Sequence, residues 1–86
     1  MEEDNRTMNI DKKIIRFIYE KQKDTNKQVT LVDIIAEFNN YSRGYVYDRL
    51  LTLKYSKYVL PIKHRSRFLK LSEKGIEWAK ELEEEL

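Results

Sequence analysis

The 86 residues hold at most one small domain, and the absence of cysteine excludes disulfide reinforcement and thiolate metal sites. A charged fraction of 37%, with two glycines and one proline, suits a helical domain with short connections. Five of the first six residues are polar and four are charged, so we expect neither a leader peptide nor a membrane span, and a cytoplasmic location. A chain of this size buries about 60% of its unfolded surface, so its core is thin and dimerisation is a common route to extra stability.

Residues 1–8 are mostly polar and are expected to be disordered, with the folded domain spanning 9–86. Asn9 is placed to cap a first helix, whose apolar positions Ile10, Ile14, Phe17 and Ile18 recur at spacings of three and four, flanked by Ile15 and Tyr19. Lys23-Asp24-Thr25-Asn26-Lys27-Gln28 breaks that pattern and reads as a loop. Thr30-Leu31-Val32-Asp33 is a capping box, with Asp33 where glutamate or glutamine is usual. Leu31, Ile34, Ile35 and Phe38 follow at i, i+3, i+4 and i+7, which predicts a short second helix. Asn39-Asn40-Tyr41 reads as a tight turn, since asparagine tolerates a left-handed backbone. Ser42 then caps a third helix, about 42–55, with the buried stripe Val46, Leu50 and Leu53.

After Ser56 the period changes. Tyr58-Val59-Leu60-Pro61-Ile62 is strand-like, and Pro61 confines it to an edge. Lys63-His64-Arg65-Ser66 is a basic tip and Arg67 to Leu71 a returning strand, so 58–71 forms a β-hairpin. Ser72 caps a last helix with Ile76, Ala79, Leu82 and Leu86 in line and Trp78 beside them.

The charge is concentrated along the chain. Residues 1–42 carry seven basic and eight acidic side chains, and 71–86 carry two and six. Residues 43–70 carry eight basic side chains (Arg43, Arg49, Lys54, Lys57, Lys63, Arg65, Arg67 and Lys70) against Asp48 alone, a net +7. One central basic stretch is the footprint of a polyanionic partner.

Helix, helix, helix, hairpin, helix, with a short turn between the second and third, is a helix-turn-helix arrangement followed by a wing. The chain resembles the winged helix-turn-helix superfamily, and more narrowly the small MarR- and PadR-like regulators of bacteria, archaea and archaeal viruses. Thr30 to Ile35 resembles the family's second helix, Ser42 to Leu53 its recognition helix, and Phe68 to Gly75 the junction that ends the wing. The likeness covers roughly 10–86, and departs at Lys57, where the family often has glycine. It implies a mainly α fold with a small β-hairpin and a DNA-binding transcriptional regulator. For a viral source the location would be the host cytoplasm.

On a helix wheel Val46, Leu50 and Leu53 face inward. Gly44, Asp48, Leu51, Thr52 and Tyr55 face outward, with Arg43, Tyr45 and Tyr47 on the flanks. Arg43 has the geometry to chelate guanine, and Tyr45 and Tyr47 to meet phosphates or thymine methyls. Gly44 admits a close backbone, Ser42 starts a helix that can face a phosphate, and Asp48 accepts from cytosine or orients Arg43. Arg49 and Thr52 complete the expected contacts of this helix with double-stranded DNA. Lys63, His64, Arg65 and Arg67 are expected on a wing that enters the minor groove or meets the backbone. The apolar seam of the last helix, with Trp78, Leu82 and Leu86, predicts a homodimer, and the resemblance implies that the first helix takes part too, through Ile10 and Ile14. One histidine and no cysteine leave no recognisable catalytic set, metal site or cofactor, so we expect a protein that is not an enzyme. A winged helix that docks on another protein, and a chromatin-like coat without sequence preference, are the competing readings; an effector ligand has no signature in the sequence.

Overall fold

The computed structural model describes residues 2–24, 28–62 and 68–84, with side chains described from residue 10 onward except at Asp24. The expected wing residues Lys63, His64, Arg65 and Arg67, and Leu86 of the last helix, lie outside the described residues. The elements run α1 (Glu2–Asp24), β1 (Val29–Thr30), α2 (Leu31–Glu37), α3 (Arg43–Tyr55), β2 (Val59–Pro61), β3 (Phe68–Leu71) and α4 (Glu73–Glu84). This is the mainly helical helix-helix-helix-hairpin-helix architecture of a winged helix-turn-helix.

α1 is the spine of the core. Ile10, Ile14, Ile15 and Ile18 are each fully buried. They belong to one cluster with Val46, Leu50 and Leu53 of α3, Ala79 and Leu82 of α4, and the inward strand residues Val29, Val59, Leu69 and Leu71. Each buried isoleucine contributes roughly 1.5–3 kcal/mol of apolar transfer energy. α1 starts earlier than the sequence suggests. Its backbone is helical from Glu2, so Asn9 is an interior position rather than the cap, and residues 2–8 extend the helix instead of standing apart from it. No glycine or proline precedes Gly44, so nothing in the backbone stops that extension. Lys23 and Asp24, expected in the loop, form its last turn.

α2 begins at the Thr30 capping box. The Asp33 N–H donates to Thr30 Oγ1 at 3.2 Å and the Thr30 N–H to Asp33 Oδ2 at 3.1 Å. The following turn closes when the Tyr41 N–H donates to the Phe38 carbonyl at 3.1 Å. Neither Asn39 nor Asn40 is left-handed, contrary to expectation. Among the described residues the only non-glycine with positive φ is Lys57, at 67°. Lys57 follows α3 in a Schellman arrangement: its N–H donates to the Lys54 carbonyl, and that of Tyr58 to Leu53, both at 3.0 Å. The turn therefore keeps the geometry that glycine serves elsewhere, with a lysine in it.

The strands form an antiparallel sheet of order β1-β3-β2. Val59 faces Leu71 and Pro61 faces Leu69, which leaves β2 at an edge, where its proline belongs. β1 has no counterpart in the sequence reading. Val29 pairs with Leu69 and Thr30 with Phe68, and two residues are too few to show alternation. α4 starts at Ser72, whose Oγ accepts from the Gly75 N–H at 3.1 Å and whose N–H donates to the Tyr58 carbonyl at 3.0 Å. A Cβ on Gly75 would collide with that same carbonyl, so glycine there lets α4 press onto the start of the wing.

Candidate nucleic-acid interface

The start of α3 is fixed by Ser42, whose Oγ accepts from the Tyr45 N–H at 3.2 Å and whose carbonyl accepts from Val46 at 3.1 Å. With Val46, Leu50 and Leu53 buried, the opposite side of the helix is in water. Ser42, Arg43, Gly44, Tyr47, Asp48 and Thr52 are all exposed. Arg43 makes no hydrogen bond or ion pair among the described residues. A Cβ on Gly44 would meet no atom within 4 Å, so packing does not require glycine there.

Three expected contacts are placed differently. Tyr45 is half-buried, packed against the core and against the Tyr41 ring at 5.8 Å between centroids. Thr52 turns its hydroxyl back to the Asp48 carbonyl at 3.0 Å. Arg49 does not reach outward. Its Nε donates to Asp11 Oδ1 at 3.0 Å and its Nη2 to Asp11 Oδ2 at 2.8 Å, so the fork ties α3 to α1. The two side chains are only 22% and 11% exposed. The Asp11 hydrogen bond, opposed by burial, raises the guanidinium above its ordinary value, so Arg49 stays charged. Asp48 and Arg43 form no pair among the described residues.

The expected dimer residues are also largely internal. Ile10 and Ile14 are fully buried and Leu82 is 5% exposed, because α1 packs along α4 within the single chain. Trp78 is half-buried against Tyr58, with ring centroids 4.7 Å apart, and Lys74 Nζ lies 4.3 Å above the Tyr58 ring. The domain is thus able to bury most of a seam that looked too large for it.

Compared with family models, with curated proteins and with solved structures, the chain matches none. What stands is a winged-helix-like fold with an open α3 face. Among the described residues no group of acidic or histidine side chains could hold a metal, and no helix is long and apolar enough to cross a membrane.

The Asp11–Arg49 pair was missed, although a signal for it exists. Asp11 sits between Ile10 and Ile14 on the apolar stripe of α1, and Arg49 stands three after Val46 and four before Leu53. A charge on each of two apolar stripes calls for a partner, and opposite signs supply one.

Proposed function

We propose that the chain is a DNA-binding transcriptional regulator of the winged-helix kind, akin to the MarR- and PadR-like proteins, with α3 in the major groove. The observation that carries this reading is the exposed first half of α3. There Arg43 and Tyr47 stand in water without a structural duty, beside a glycine that the fold does not need. Together with the net +7 of residues 43–70, this is a surface on which base edges and phosphates find donors. The hairpin, with Lys63, His64, Arg65 and Arg67 in its sequence, supplies charge for the minor groove or backbone. The reading involves binding and no reaction or cofactor. A homodimer that sets two α3 helices on a palindromic site would use surfaces other than Ile10, Ile14 and Leu82.

The test is selection of bound fragments from random duplex, followed by titration of the selected and a random duplex over a series of salt concentrations. Arg43→Ala is expected to cost roughly 1–3 kcal/mol on the selected duplex and to relax its sequence preference. Equal loss on both duplexes would assign Arg43 to the phosphate backbone and favour a sequence-independent coat. Failure to bind any duplex near physiological salt would favour the protein-docking reading.

A further inference from the structure

Beside the second half of α3 an open hollow of about 340 Å³ runs between the helix and the first wing strand. Leu51, Lys54 and Tyr55 line its helix side, and Lys57, Leu60 and Pro61 the other. Tyr55 is 84% exposed, more than any other large apolar side chain described. It stands at the end of α3 with its ring in water, and it is not among the residues packed on the core. Two lysines line the hollow, and among the described residues no carboxylate does.

An apolar floor, a free aromatic face and a one-signed rim are the parts from which sites for unpaired nucleic acid are built. The ring stacks a base and the lysines follow the phosphates. A peptide strand added to the β2 edge is less well served. Ile62 donates to Phe68, so Leu60 and Ile62 turn their main-chain groups to β3 and Pro61 turns outward, where it has no N–H to give. We propose that this groove binds a single nucleic-acid strand, with a base stacked on Tyr55 and the backbone held by Lys54 and Lys57. The site shares the basic stretch 43–70 with the proposed duplex reading but not its base-reading residues. It uses the second half of α3 and the wing strand, and neither Arg43 nor Gly44.

The experiment measures fluorescence anisotropy of a labelled oligothymidylate of about ten nucleotides, and of the duplex selected from random sequence, with the full chain. The wild type is expected to bind the single strand with an affinity that falls as salt rises. Tyr55→Ala is expected to weaken that binding at least tenfold, and Tyr55→Trp to retain it. The melting temperature should not change, since Tyr55 is exposed, and the duplex affinity should change by no more than about twofold, since base reading rests on the first half of α3. Arg43→Ala should show the reverse pattern, so failure of the duplex reading would leave the Tyr55 result standing. A wild type that ignores the oligothymidylate overturns the proposal. So does a Tyr55→Ala protein that binds it undiminished, or that loses strand and duplex alike.

Discussion

Gly44 and Lys57 each hold a residue type opposite to the one their backbone favours. Lys57 is left-handed at φ 67° and exposed, where a Cβ costs about 1–2 kcal/mol that glycine avoids. Glycine's greater unfolded-state entropy returns part of this. Lys57→Gly is therefore expected to stabilise the domain by about 0.5–1 kcal/mol. Calorimetry should show a melting midpoint several degrees higher, and a lower midpoint would mean that the lysine side chain holds the turn. Gly44 is helical with open space around it, so Gly44→Ala should stabilise by up to about 1 kcal/mol. If α3 approaches DNA closely there, the same change should weaken duplex binding while the protein becomes more stable. A variant that gains stability and keeps full affinity would remove Gly44 from the interface.

At the scale of elements, the caps are local and the clamp between helices is not. Thr30 with Asp33, Ser42 and Ser72 each sit where a hydroxyl meets the third following N–H, so three helix starts are legible from four-residue windows. Asp11 and Arg49 are 38 residues apart, and only the packing of α1 on α3 brings them together. Asp11→Ala leaves a half-buried guanidinium without its acceptor, and should cost about 1.5–3 kcal/mol in urea unfolding. Adding Arg49→Met should recover part of that loss, because the stranded charge goes with it. A double variant as unstable as the sum of the two single changes would show that the pair is not coupled. The folded value of Arg49 is raised, so its contribution is fully present below the unfolded guanidinium value and is lost only as pH climbs through the folded one. The clamp is accordingly constant across neutral pH.

For the molecule as a whole, the question is where the apolar seam of α4 goes. Ala79 and Leu82 are buried against the isoleucines of α1 within one chain. Leu82→Ala should therefore cost about 2–5 kcal/mol, as for other core truncations. That loss should be the same over a roughly hundredfold range of protein concentration, because no second copy is needed to bury the side chain. A loss that grows on dilution would place Leu82 between subunits after all.

By itself the sequence determined what rests on neighbours a few residues apart. Apolar spacing marks the helices, hydroxyl caps mark three of their starts, Pro61 sends its strand to an edge, and the run of basic residues sets the charge of the stretch 43–70. The stripe Val46, Leu50 and Leu53 is buried as its spacing requires, and so the exposed side of α3 was legible too. Tertiary structure alone decided the rest. β1 exists only because β3 offers Val29 and Thr30 a partner. Gly75 is needed only because α4 crosses the Tyr58 carbonyl. Arg49 leaves the outward set only because Asp11 lies opposite. The α4 seam is internal only because α1 reaches it. Each of these is a contact between residues distant in the chain, whose free energy depends on burial and geometry that no short window contains.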